Sequence, residues 1–347
     1  MTWTQLHAQL HRTIGHRRLC EKRQNLLVAV SGGQDSLCLI RLLLDLQPKW
    51  QWNIAIAHCD HRWRSDSEEN AKHVANLARH WNLPFFLETA GINININSEA
   101  SARNWRYQVL SNIAEEYGYN CVVTGHTATD RAETLLYNLI RGTGSDGLQA
   151  LTWRRGLRDK IYLVRPLLEI TRQETEIFCQ KRQLPVWLDS TNKDLKYARN
   201  RVRQELIPYL QRNFNPKVEQ SLAQTAELLQ AEVEYLETEA LKLRFDAQKS
   251  QSVTGEKEEK VDVDVDIASS STVVRLNRQV LNNSAIAIQR RVMRQVLLEI
   301  MPSTPNFEHI EKLTALINAP NRSQTDPFPG GAIARVVGSY ILIETIE

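Results

Sequence analysis

Residues 25–46, "NLLVAVSGGQDSLCLIRLLLDL", decide the fold, because an apolar run breaks at Ser31-Gly32-Gly33-Gln34-Asp35-Ser36 and resumes at once. Leu26 to Val30 is a short run rich in valine that reads as a strand, while Leu37, Ile40, Leu43 and Leu44 recur at helical spacing. The order is strand, glycine turn, helix. Such a turn leaves unpaired N–H groups at a helix start, and glycine lets a ligand approach the backbone closely, so the stretch reads as a phosphate cradle. It lacks the Gly-Lys-Ser/Thr ending of a Walker loop and the G-x-G-x-x-G spacing of a dinucleotide fold. Asp35 places a carboxylate beside that phosphate, which makes sense with Mg²⁺ between them. The competing reading of Asp35 is a first-turn acid favoured by the helix dipole.

Outward from this stretch, the runs "NIAIAHCD", "FFLETA", "CVVTGH" and "IYLVRPL" alternate with the amphipathic stretches "EENAKHVANLARHWN", "EASARNWRYQVLSNIAEEYG" and "RAETLLYNLIRG". That alternation predicts an α/β domain built on a doubly wound parallel sheet, with the motifs at strand ends gathered on one ligand-binding edge. The pattern changes near 213, so residues 1–212 are expected to form a catalytic domain and 213–347 a second, mainly helical domain. Asn215 reads as an N-cap and Pro216 as the first helical residue, followed by Val218, Leu222, Leu228, Leu229, Val233 and Leu236 along a long helix. Residues 246–272 are charged and biased and read as a flexible, solvated insert, although their "VDVDVD" could pair as an edge strand. Two more helices, "AIAIQRRVMRQVLLEI" and "NFEHIEKLTALI", precede a closing hairpin that turns at Gly338-Ser339.

A chain of 347 residues with 42% hydrophobic content has enough material for two or three cores, and a formal charge of +3 is only weakly basic. Nucleic-acid binding must therefore rest on local clusters rather than on the total charge. Met1 to Arg23 is polar and amphipathic and no apolar run has bilayer-spanning length, so a cytoplasmic location is expected. The cysteines at 20, 38, 59, 121 and 179 are scattered without a C-x-x-C pair, and read as small buried hydrophobes rather than as disulfide, zinc-ribbon or iron–sulfur ligands.

Four further stretches carry chemistry. In "HCDHRWR", His58, Cys59, Asp60 and His61 invite a zinc assignment, but alternate strand residues face opposite ways, which favours a polar strand end lining a nucleotide site. "SARNWRY" sets Arg103 and Arg106 three apart on a helix, with Tyr107 alongside, where two guanidiniums can grip phosphate or a developing oxyanion. In "GHTATDRAETLLYNLIRGTGSDGL", Asp130 and Glu133 lie one turn apart, on one face, where they could hold a substrate amine and take up its proton. "DSTNKDLKYARNRVRQELIPYLQRNFNP" gathers Arg199, Arg201 and Arg203 with Lys193 and Lys196, a basic cluster fit for RNA phosphates. Arg290, Arg291 and Arg294, on one later helix, read equally as a nucleic-acid contact or a solvated face.

Ser-Gly-Gly-x-Asp-Ser after a strand resembles the pyrophosphatase loop of the N-type ATP pyrophosphatases, the PP-loop superfamily. The other stretches narrow this. "HCDHRWR" resembles H-x-D-H-x-x-R, "SARNWRY" matches A-R-x-x-R-Y, and the stretches beginning at Gly125 and Asp189 resemble long signatures of the tRNA(Ile)-lysidine synthetases. Thr129 and Arg131 depart from that pattern, standing where it has an acidic residue and a glutamine. The resemblance implies an ATP-dependent ligase that adenylates the C2 oxygen of the wobble cytidine in CAU-anticodon tRNA(Ile). Free lysine then displaces AMP through its ε-amine, leaving lysidine, with pyrophosphate as the other product. It implies ATP on Ser31, Gly32, Gly33, Gln34, Asp35, Ser36, His58, Asp60 and His61, and Mg²⁺ on Asp35. Asp35, Arg103, Arg106, Asp130 and Glu133 would surround the reacting centre, and Arg199, Arg201 and Arg203 would hold tRNA. A homodimer is compatible with it. A PP-loop tRNA thiolase is the alternative, though one common type needs the C-x-x-C pair that this chain lacks; a small-molecule synthetase and a non-enzymatic RNA-binding protein are the other classes.

Overall fold

Leu26, Leu27 and Val28 are fully buried because their strand is covered on both faces. In the computed structural model, which describes residues 3–62, 66–91, 98–187, 198–249 and 274–344, this strand is β1 (Asn25–Ala29). It lies inside a six-stranded sheet with β2 (Asn53–Asp60), β3 (Phe85–Thr89), β4 (Cys121–Thr124), β5 (Arg154–Arg158) and β6 (Ile161–Val164). Arg64, Lys193, Lys196 and the "VDVDVD" run fall outside the described residues.

The strand order is β3-β2-β1-β4-β6-β5, and every pairing is parallel except β5 with β6. The order reverses between β1 and β4, so the carboxyl ends of these strands flank the crevice where open α/β sheets bind ligands. Helices α1 (Gln5–His16), α2 (Gln34–Trp50), α3 (Ser67–His80), α4 (Glu99–Glu116), α5 (Ala128–Ile140), α6 (Ser145–Leu148) and α7 (Arg172–Lys181) accompany the sheet. Leu26 and Val28 pack with Leu37, Leu43, Val74 and Phe178 on one face, while Leu27 packs with Val109, Leu110 and Ile113 of α4 on the other.

Two elements of this unit escape the sequence pattern. Strand β5 reads "RRGLR", almost all exposed, and pairs antiparallel with β6 across Asp159-Lys160, where Lys160 has φ +58°. An edge strand with one partner and a solvated face shows no hydrophobic period. Helix α1 is capped reciprocally by Thr4 and His7 and buries Leu10 and Ile14. His7 is itself buried, with Nε2 2.9 Å from Asp45, whose carboxylate also meets Arg41.

The short helix α8 (Ala198–Arg201), a π-helical turn (Val202–Leu206) and α9 (Ile207–Asn213) lead to α10 (Val218–Lys249). Helix α10 begins at Val218, two residues past the expected start at Pro216, and Asn215 Oδ1 accepts from the Lys217 N–H of the intervening turn at 2.9 Å. The chain divides into compact units Met1–Gln230 and Ala231–Glu347, so the division falls within α10 rather than at 212/213. The first turns of that helix belong to the first unit because Val218 and Leu222 pack against Leu136, Val202 and Ile207. Leu228, expected on the apolar stripe, is exposed; Ala223 and Ala226 are buried instead.

The second unit holds α11 (Arg278–Asn282), α12 (Ile286–Ile300) and α13 (Phe307–Ala315), together with a three-stranded antiparallel sheet. Its order is β7-β9-β8, from β7 (Val274–Asn277), β8 (Ile333–Val337) and β9 (Tyr340–Glu344). The hairpin turns at Gly338-Ser339, with Gly338 at φ +55°. Arg290 pairs with Glu311 at 2.6 Å, and Arg291 and Arg294 pair with Glu237, so these three cations have acidic partners inside the unit. Among the described residues no helix is long and apolar enough to cross a membrane.

Candidate active site

A cavity of about 720 Å³ opens at the carboxyl ends of β1, β2 and β4, entirely within the first unit. Its floor is the glycine turn. Ser31 Oγ accepts from the Gly33 N–H at 3.3 Å, Ser36 Oγ accepts from the Ser31 N–H at 3.2 Å, and Ser36 Oγ donates to the Gly33 carbonyl at 2.9 Å. These bonds hold the first turn of α2 open, with N–H groups that have no intrahelical acceptor. Gly32 has φ +87°, and a Cβ there would stand 2.5 Å from Asn70 Oδ1. Gly125, at the end of β4, lies so close to α2 that a Cβ would meet the Asp35 carbonyl oxygen at 2.9 Å. Glycine is required at both positions for the strand ends and the helix start to converge.

Ser31, Gly33, Gln34, Asp35, Ser36, His58, Asp60 and His61, all expected at ATP, line the cavity; Gly32 shapes it from behind. His58 Nδ1 is 2.7 Å from the Val30 carbonyl, which makes that nitrogen the donor and leaves Nε2 as the acceptor in the neutral ring. Asp60 accepts from the Arg62 N–H at 2.8 Å. Cys59 also faces the cavity, but burial pushes its thiol up to about 12, so it stays protonated and a poor nucleophile.

Asp35 accepts from Thr175 Oγ1 at 2.5 Å, and its Oδ2 is 3.8 Å from Arg172 Nε, both partners coming from α7. Burial pushes the Asp35 carboxyl up, against the pull of Arg172 and with help from the Asp130 charge. Arg172 and Thr175 carry no motif in the sequence, since α7 reaches Asp35 only through the fold. Asp35 offers one carboxylate with an underused oxygen. Among the described residues no three His, Cys, Asp or Glu side chains meet as a cation site, so the donor set suits an ion carried in by phosphate oxygens.

Arg106, Tyr107, His126 and Asp130 form the facing wall. His126 immediately precedes the N-cap Thr127 of α5, and its Nδ1 is 2.9 Å from Thr124 Oγ1. Burial, then the Arg165 charge, lower its pKa to about 3, so the ring is neutral at physiological pH. Sequence reasoning missed it, although it stands inside a quoted motif. Asp130 accepts from the Thr127 N–H at 2.8 Å and from Arg203 Nη2 at 3.3 Å. Burial alone would raise its carboxyl, but the Arg203 and Arg199 charges and the Thr127 N–H hydrogen bond outweigh that and hold it low.

Glu133 shares a helix face with Asp130 but does not line the cavity. Its side chain is 0% exposed and clamped by Arg203, Nε to Oε1 at 2.5 Å and Nη2 to Oε2 at 2.8 Å. Arg199 stands 3.5 Å from Glu133 and 3.3 Å from Glu99. The structure therefore turns Arg199 and Arg203, expected at RNA, toward internal carboxylates, and Glu133 toward them rather than toward a substrate amine. Arg201 is exposed. Arg103 is also exposed and lies outside the cavity lining.

The two departures from the family pattern face away from the cavity. Thr129 Oγ1 donates to Glu219 at 2.8 Å. Arg131, 1% exposed, donates to Glu227 at 2.6 Å and to Gln230 at 3.1 Å, and Glu227 also accepts from Trp153 Nε1 at 2.6 Å. They fasten α5 to the start of α10.

Comparison with known proteins agrees with this geometry. The PP-loop domain family matches residues 3–210. A tRNA(Ile)-lysidine synthase of a Nostoc species is 65% identical over 347 residues, covering 100% of this chain and 99% of that one. One from a Synechocystis species is 49% identical, covering 98% of each. A chloroplastic one from Zygnema circumcarinatum is 34% identical, covering 96% of this chain and 89% of its own. Among solved structures, a U34-tRNA thiolase from Methanococcus maripaludis with its [4Fe-4S] cluster superposes with TM-score 0.56 at 15% identity, over 65% of this chain and 77% of that one, a likeness of fold. Glycine cradle, facing wall and end-to-end similarity together place this chain in the tRNA(Ile)-lysidine synthase family, with the PP-loop domain as its first part.

Proposed function

We propose that the chain converts the wobble cytidine of CAU-anticodon tRNA(Ile) to lysidine, with ATP and free lysine as co-substrates. The observation that carries this reading is the cradle at Ser31–Ser36 facing Arg106, His126 and Asp130 across one cavity, in a chain similar over its whole length to lysidine synthases.

In the first step the cytidine C2 oxygen attacks the α-phosphorus of ATP, the bond to the β-phosphate bridge breaks, and pyrophosphate leaves. The open N–H groups of α2 and its dipole stabilise the charge that develops on pyrophosphate. Mg²⁺ bound with the nucleotide would sit on Asp35 and supply further charge neutralisation. Arg106 makes no ion pair among the described residues and faces the cavity, where it can stabilise the α-phosphoryl oxygens. In the second step the lysine ε-nitrogen attacks C2, the C2–O bond breaks, and AMP departs with the former cytidine oxygen.

A lysine amine has a pKa of about 10.4 and reacts only when neutral. Asp130 is held ionised, so it positions the ammonium by charge, and the proton that the amine loses before it attacks passes to solvent. His126, neutral and buried, offers a hydrogen bond without adding a competing positive charge. The base must leave its stack to enter the cavity, which is easier in a single-stranded loop than in a duplex. The thiolase alternative finds no support in the buried, protonated Cys59.

Incubation with labelled lysine, ATP and a panel of tRNA transcripts tests the reading. Lysine incorporation confined to the CAU-anticodon tRNA(Ile), with AMP released in equal amount, is expected. ATP turnover with no RNA present, or sulfur incorporation without lysine, would overturn it.

A further inference from the structure

Beside the cavity stands a group of cations whose charge no described residue of the first unit balances in an ion pair. Arg103, Arg106 and Tyr107 share one face of α4 through their three- and four-residue spacing. Arg155 of the edge strand β5 lies over the Tyr107 ring, 4.7 Å from its centre. Arg165, just past β6, reaches the Tyr107 hydroxyl at 3.5 Å and the Thr152 carbonyl at 2.7 Å. Among the described residues none of Arg103, Arg106, Arg155 and Arg165 makes an ion pair, whereas Arg131, Arg158, Arg172, Arg199 and Arg203 all do.

Arg165 is the sharpest case. It is 3% exposed, its Nε has no acceptor among the described residues, and its neighbours are the like charges of Arg155 and Arg103. A buried guanidinium normally acquires a carboxylate, because an uncompensated buried charge is strongly destabilising. Tyr107 feels the same excess. Burial raises its phenol, but the Arg165, Arg155 and Arg106 charges outweigh that and lower it.

We propose that Arg103 and Arg155, exposed beside Tyr107 at the cavity wall and reinforced by the charge of the buried Arg165, bind the RNA phosphodiester backbone next to the cytidine being modified. This rests on the functional reading above and adds the surface that holds its polynucleotide. Several cations around one aromatic ring fit a chain of phosphates better than a single carboxylate of free lysine, which would balance only one of them. Tyr107 lines the cavity, so a backbone held here delivers its base to the reacting centre. Charge on an edge strand also prevents unwanted strand pairing. That role is indifferent to sign and RNA binding is not, so charge reversal separates the two.

The test uses the full chain and a fluorescent CAU-anticodon tRNA transcript, with affinity measured by anisotropy from about 50 to about 200 mM salt. Arg103 and Arg155 are exposed, so R103E/R155E should fold, with ATP affinity and thermal melting as controls. It should bind tRNA at least about 10-fold more weakly, with the slope of log affinity against log salt reduced by about 2. R103K/R155K should keep most of the slope. Unchanged tRNA affinity and slope in R103E/R155E overturn the proposal, as does a rise confined to the KM for lysine, which would give the cluster to the amino acid's carboxylate. A wild-type protein that binds tRNA through these residues yet transfers no lysine refutes the reaction and leaves the cluster standing. One that makes lysidine while R103E/R155E binds normally refutes the cluster alone, and one that binds no tRNA refutes both.

Discussion

Replacing Arg203 with methionine asks what the clamp on Glu133 is worth. The Glu133 carboxylate is 0% exposed and both of its oxygens accept from Arg203, whose side chain keeps 22% of its surface. Removing one member of a buried pair costs about 3–5 kcal/mol. Because solvent reaches part of Arg203, a loss near the lower end, about 3 kcal/mol, is expected near neutral pH. The loss must depend on pH. Burial already pushes the Glu133 carboxyl up, Arg203 pulls it back, and removing Arg203 lets it rise further. A carboxyl whose folded pKa lies above its unfolded value, about 4.3, contributes stability that is present below that value and lost as pH rises through the folded pKa. The deficit of R203M relative to wild type should therefore be small at about pH 5 and grow toward about pH 8, by no more than about 1.36 kcal/mol per pH unit. Urea titrations followed by tryptophan fluorescence across that range measure it, and R203M/E133Q should recover part of the loss by removing the stranded charge. A deficit below about 1 kcal/mol at the upper pH, or one equal at both ends, would refute the reasoning.

Asp35→Asn should cut AMP formation on the order of 10²–10³-fold, since it removes the charge that would hold the nucleotide's Mg²⁺ while keeping the side-chain shape; near-normal AMP release would rule Asp35 out. His126, with its folded pKa lowered to about 3, contributes stability that is present above its unfolded value and lost as pH falls toward 3. H126Q should flatten the acid limb of a stability–pH profile between those values, and a His126 proton resonance that titrates near about 6.5 would contradict the neutral ring. Glu227→Ala strands the buried Arg131, so it should cost about 3 kcal/mol in urea unfolding. The lysine KM should not move; a shift would tie Arg131 to lysine selection after all.

The cradle was legible in the chain because it is local. Strand, turn and first helical turn are contiguous, and Ser31 and Ser36 bond to neighbours within a few positions. Strands β1, β2 and β4 were legible for a related reason, since burial on both faces leaves nearly continuous apolar runs, while β3 and β6 show through their apolar residues although Leu87 and Tyr162 are exposed. Strand β5 was not, because an exposed edge strand has no apolar period, and His7 in α1 reads as polar although it packs internally on Asp45.

Charge pairing was beyond the sequence. Arg199, Arg203, Arg103 and Arg155 look alike as letters, and a helical period says which share a face but not which carboxylate faces them. The fold brings Glu133, 70 residues away in the chain, to Arg203, and Asp35 to Thr175 across 140. Among the described residues it also leaves Arg103, Arg155 and Arg165 without an acidic partner. Local backbone geometry and hydrophobic period thus determined the sheet and the anion cradle from the sequence alone. Which side chains remain available to a substrate was decided only when distant segments packed, because a charge takes its role from its neighbours in space.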